Sequence, residues 1–198
     1  MKNVLALVAV AGLAGVASAQ SATVAVTANG GANASVAPGA IVSIATTATW
    51  GGAVQFAGLA GSINVSGNAG AGANFTSDFS AGTLVNLGAF NGGSRQGIDI
   101  AVTPAVFTGG FIVPPSGNTT LNIGSYDLDT TGLAPGIYNV DFNASALAPN
   151  VRLFLTTSTP SFVEAQTEYR GATIEIIPAP ASLALVGLGG LVAGRRRR

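Results

Sequence analysis

Between Gln20 and Ile177, no stretch of ten residues carries the 3.6-residue apolar repeat of an amphipathic helix. Short runs of Val, Ile, Thr and aromatic residues are cut instead by clusters of Gly, Pro, Asn and Ser. Strands are expected over residues 23–27, 41–50, 54–56, 63–65, 83–90, 97–102, 120–123, 136–142, 151–156 and 169–177. In 136–142 the side chains separate cleanly onto two faces with a period of two. Many short strands with turn residues between them, and no crossover helices for parallel pairing, predict an all-β domain. The expected architecture is a single antiparallel β-sandwich, immunoglobulin-like or jelly-roll-like. Only 161–168 gives a weak helical impression. The low-complexity segments 28–39 and 67–74 have few apolar side chains to pack and are expected to be mobile loops.

The two ends depart from this pattern. Lys2 followed by an apolar run from Val4 to Val16, then Ala17-Ser18-Ala19, has the three-part order of a secretory signal peptide. The small residues Ala17 and Ala19 place cleavage before Gln20. At the other end, Pro178-Ala179-Pro180 precedes an apolar run to Gly194 and a terminal cluster, Arg195, Arg196, Arg197 and Arg198. The run is about fourteen residues long, shorter than the ~20 of a full span. The arginines would stay in the cytoplasm, leaving the preceding domain outside. The expected organisation is a signal helix over 1–19, an exported domain over 20–177, and a tail over 178–198 with a short transmembrane helix.

That tail resembles a bacterial PEP-CTERM sorting signal, the tag handled by exosortase. Both prolines of the motif are present as Pro178 and Pro180, with Ala179 where the family has glutamate, and Arg195 to Arg198 match its basic end. The resemblance implies a Gram-negative-type envelope, export, membrane retention followed by cleavage near Pro178, and association with exopolysaccharide. A plain C-terminal anchor is the alternative. A rhomboid-type glycine-rich tag, suggested by Gly189-Gly190, would place that doublet unusually deep in the apolar run.

Within the exported part only Arg95, Arg152 and Arg170 oppose eight carboxylates, so it is acidic, without the basic footprint of a nucleic-acid binder. The chain has no cysteine and no histidine, which removes Ser-His and Cys-His nucleophile pairs and the usual zinc ligand. Carboxylate chemistry is what remains for an enzyme. Asp99 with Asp141, or Glu164 with Glu168, would be the pairs for glycoside hydrolysis. Asp127, Asp129 and Thr131, followed by Gly132, have the alternate oxygens that open a calcium loop. The twelfth place, however, is Tyr138, and an Asx-type turn is the competing reading. Trp50 is expected to anchor the core, and Gly92-Gly93 to form a hairpin tip. Leu133-Ala134-Pro135-Gly136-Ile137-Tyr138 resembles the L-x-P-G-x-Y turn and strand of immunoglobulin-like bacterial surface domains. The leading expectation is a non-enzymatic surface or matrix protein. A carbohydrate- or calcium-binding module is the alternative, and a carboxylate-dependent glycosidase the third reading.

Overall fold

Alternation of β-branched and small residues yields thirteen strands among the described residues of the computed structural model, which are 21–51, 54–79, 81, 84–101, 120–158 and 161–178. The expected signal segment and most of the expected tail lie outside them. One sheet has the order β12-β1-β3-β8-β5 and comprises Gln166–Arg170, Ser21–Ala28, Ile41–Trp50, Thr120–Asp129 and Ala71–Thr76. The second is built around β4 (Gln55–Val65). On one edge of β4 lies β7 (Ser94–Ala101), itself paired with β6 (Val85–Asn91). On the other edge β10 (Arg152–Ser158) pairs with Gln55 to Ala60, and β9 (Gly136–Asn143) takes over from Ser62 to Val65. Beyond β9 come β13 (Ala172–Ile176) and β2 (Asn33–Val36), while β11 (Ser161–Glu164) hangs on β10.

The inner faces carry the core. Val24, Val26, Val42, Ile44, Leu121, Ile123 and Leu128 come from the first sheet, and Leu59, Ile63, Ile98, Ile100, Leu153, Leu155 and Ile174 from the second. Trp50 is buried against Phe56, which packs in turn on Phe79. The Trp50 Nε1–H donates to Val54 O at 2.9 Å, so the indole's one polar group is satisfied. Apolar burial of this extent is the main favourable term for a chain without disulfides.

Several expectations are corrected. The sandwich is not wholly antiparallel: β1 pairs with β12, and β2 with β13, in parallel. No crossover helix is needed, because each pair joins the chain's first strands to its last. Both partners change sheets midway, β1 to β2 through Asn29 to Ala32 and β12 to β13 at Gly171. The carbonyl of Val140 and the carboxylate of Asp141 leave no room for a Cβ at Gly171. The low-complexity segment 28–39 contains β2, and 67–74 contains most of β5. Ladder hydrogen bonds come from the backbone, so an edge strand forms there with few apolar side chains. Residues 161–168 are strand rather than helix. The expected strands 54–56 and 63–65 merge into one, β4, which begins at Gln55 and runs through Gly58 and Gly61. A Cβ at Gly61 would overlap the Phe142 ring, so that glycine is required by packing.

Strand directions give the sandwich two distinct ends. At the first, short crossovers link the sheets: residues 37–40 join β2 to β3, and 130–135 join β8 to β9. The Thr130 N–H donates to Ala40 O at 3.1 Å, tying the two crossovers together. At the opposite end lie the start of β1, the end of β3, the end of β7 and the start of β8.

Candidate functional site

The junction between the folded domain and its tail is formed by the last strand. In β13, Ile174 and Ile176 point inward and are buried, while Glu175 points out and accepts from Ser35 Oγ at 2.9 Å. The ladder runs one residue further: the Ile177 N–H donates to Val36 O at 2.9 Å. Pro178 is exposed and brings no N–H of its own, so the pairing ends where the Pro178-Ala179-Pro180 sequence begins. Of the residues expected to form a sorting tag, only Pro178 is described. Ala179, Pro180, Arg195, Arg196, Arg197 and Arg198 lie outside the described residues, as do Ala17, Ala19 and Gln20 at the signal cleavage position.

Beside this junction stands the 127–138 corner. Asp127 and Asp129 share the outer face of β8. Asp127 accepts from Asn74 Nδ2 at 2.8 Å, and Asp129 Oδ1 accepts the Thr131 N–H at 2.8 Å, an Asx turn that Gly132 closes at φ +81°. The Thr131 bonds hold the Asp129 carboxyl below its usual range. No group of three or more Asp, Glu, His or Cys suited to a metal occurs among the described residues. The chain then turns through Leu133 to Pro135 into β9. There the Tyr138 hydroxyl donates back to Ala134 O at 3.0 Å. A tyrosine at the start of a strand, tied to a carbonyl a few residues upstream, has the form of a tyrosine corner.

The carboxylate pairs proposed for glycoside hydrolysis are not brought together. Asp99 stands opposite Ala60 and Asp141 opposite Asn64, on opposite edges of β4. Four residues along a strand already separate them by about 13 Å, beyond the roughly 5–10 Å that such a pair needs. Glu164 belongs to β11 in one sheet and Glu168 to β12 in the other. Glu168 instead pairs with Arg170 at 2.8 Å on the surface, and that guanidinium holds the Glu168 carboxyl below its usual range.

Two features have no counterpart in the sequence reading. A cleft of about 440 Å³ opens at the end remote from the tail, lined by Ser21, Thr23, Thr49, Trp50, Gln166 and Glu168, among others. It needs β12 beside β1, a pairing of residues some 140 positions apart that no local signal announces. The second is Arg95. A register shift in the β4–β7 pairing turns it to the side of Phe90, and its guanidinium lies 4.3 Å from the Phe75 ring centroid and 4.7 Å from that of Phe90. Its Nε–H donates to Leu87 O at 2.9 Å. Partial burial lowers its pKa, and it closes the gap between edge strands β5 and β6.

No protein-family model matches the chain, and no curated protein matches it. Solved structures do. The third cohesin ScaC from Acetivibrio cellulolyticus, in complex with the ScaB dockerin, matches with a TM-score of 0.52 at 15% identity. The match covers 79% of this chain and 99% of that one. The CaCohA2 solution structure from Clostridium acetobutylicum gives a TM-score of 0.46 at 14% identity, over 79% and 91% of the two chains. The seventh ScaB type I cohesin from Pseudobacteroides cellulosolvens gives 0.43 at 9%, over 81% and 93%. The first of these likenesses is one of fold: the described residues form a β-sandwich similar to a cohesin domain.

Proposed function

We propose that the chain is a non-enzymatic exported module of the cell surface or extracellular matrix, sorted by a PEP-CTERM/exosortase-type system and associated with exopolysaccharide. The observation that supports this reading is the point where the described chain ends. That point is Pro178, beside the short crossovers, while the open cleft lies at the other end. Gln166 and Ile176 are ten residues apart along the β12–β13 path, about 33 Å of strand. A module tethered at one end therefore holds its open end away from the bilayer. The dispersed carboxylates support binding over catalysis. The complex named for the ScaC cohesin supports a sandwich of this fold serving as a holder of a partner.

The cleft favours the carbohydrate-binding form of this reading. Hydroxyls of Ser21, Thr23 and Thr49, the Gln166 amide and the Glu168 carboxylate are the polar groups that sugars hydrogen-bond. The test is release from the matrix of producing cells. If exopolysaccharide holds the module, glycanase digestion frees it and a high-salt wash does not. Free protein in the medium before digestion would contradict the association.

A further inference from the structure

Three of the six large apolar side chains that stand exposed among the described residues lie at the end where the tail emerges. Ile41 is 57% exposed at the start of β3, Ile137 is 70% exposed at the start of β9, and Ile177 is 44% exposed just past β13. Ile41 pairs with Asp129, and Ile137 with Glu175, so the two project from the outer faces of opposite sheets around one rim. The crossovers between them, Ala37-Pro38-Gly39-Ala40 and Leu133-Ala134-Pro135, are themselves apolar or small. No lysine or arginine occurs in 29–41, 127–139 or 172–177.

We infer that this rim is a bilayer-contacting surface, with the three isoleucines seated in the headgroup zone while the tail is uncut. The inference rests on the tail reading given above. Its warrant is the length of chain available. The pairing holds through Ile177, and the apolar run begins between Ala181 and Leu183. Four to six residue steps reach at most about 13–20 Å. The interfacial zone on each side of the hydrocarbon takes up roughly 5–8 Å of that. As a helix, fourteen residues would be only about 21 Å long against ~30 Å of hydrocarbon, a mismatch that would draw its ends inward. The rim is therefore held against the lipid, and the side chains it presents there are isoleucines. Asp127, Asp129 and Glu175 stand at the same end, so contact weakens as anionic lipid is added and recovers with salt.

The chain has no cysteine, so single labels are unambiguous. Full-length protein in phosphatidylcholine vesicles carrying a headgroup nitroxide is labelled with a fluorophore at Ser182→Cys, Ala134→Cys or Gln166→Cys. Quenching is expected at Ser182 and Ala134 and not at Gln166. Replacing Ile41, Ile137 and Ile177 by Ser lowers quenching at Ala134 several-fold and leaves Ser182 unchanged. Quenched Ser182 with unquenched Ala134, or an Ala134 signal indifferent to the three serines, overturns the inference. So does contact strengthened by phosphatidylglycerol. Self-quenching at Ala134 that rises with protein density would assign the isoleucines to a contact between copies instead. An unquenched Ser182 label would mean that the apolar run does not enter the bilayer, and the tail reading itself would fail.

Discussion

Removing one buried hydroxyl, by Tyr126→Phe, should cost more than removing its exposed counterpart by Tyr138→Phe. Tyr126 is buried on β8, and its Oη–H donates to Gly93 O at 2.8 Å. Gly93 forms the β6–β7 hairpin tip with Gly92. Two further bonds dock that tip across the sandwich: Gly93 N–H to Asn68 O at 3.2 Å, and Gly72 N–H to Gly92 O at 3.0 Å. Phenylalanine keeps the edge contact with the Phe90 ring, 5.3 Å between centroids, but leaves the Gly93 carbonyl without its donor. A buried group stripped of its partner costs about 1–3 kcal/mol, or roughly 3–9 °C in Tm for a domain of this size. The Tyr138 hydroxyl is exposed, so water replaces its bond to Ala134 O, and half that cost or less is expected. Calorimetry of both variants decides the matter. A Tyr126→Phe protein that melts with the parent, or above Tyr138→Phe, would refute the account of how the hairpin is held.

The same residue sets a pH dependence. Burial pushes the Tyr126 phenol well above its usual value, and Tyr169 is raised by the same cause. The folded chain therefore keeps protons that the unfolded chain loses above pH ~10, so stability is full below that pH and falls above it. Tyr126→Phe should flatten this alkaline limb, leaving the smaller part due to Tyr169. Thr46 Oγ1 is buried with no hydrogen-bond partner among the described residues, so Thr46→Val should raise Tm by a few degrees, on the order of 1 kcal/mol. At Gly93 an added Cβ would overlap the Ala69 carbonyl, so Gly93→Ala should cost about 1–3 kcal/mol in denaturant titration. Gly51→Ala, in open space, should stay within about 0.5 kcal/mol. With Asp127 and Asp129 occupied by Asn74 and Thr131, Tm should be the same in calcium as in chelator; a rise with calcium would restore the metal reading.

Strands whose side chains alternate between core and solvent were legible in the sequence. β3 occupies the expected residues 41–50, and β1, β9 and β10 fall within a few residues of expectation, because burial of one face imposes the period of two. The corner from Leu133 to Tyr138 was legible for another reason: its hydrogen bond spans four residues. What the sequence does not show locally depends on partners far along the chain. β2 has the composition of a loop and becomes a strand because β13 supplies a parallel edge. In the sequence Arg95 stands in a glycine-rich hairpin segment, Gly92 to Gly97. A register shift in the β4–β7 pairing, beside Gly97 at φ +79°, turns it over two aromatic rings. The distal cleft has no local signal either, since it requires β12 to lie beside β1. Residue type alone suggests the hydrolase pairs, but β4 sets one pair too far apart while the other is split between sheets.

The central claim is that this sandwich is exported, held by its tail and then released to the surface. Intact mass of the protein from each fraction of producing cells tests it most directly. The account predicts a surface or matrix species that begins at Gln20 and ends near Pro178. A single species that keeps Arg195 to Arg198 and stays with the membrane would contradict release, and the module would then be a permanently tethered envelope protein.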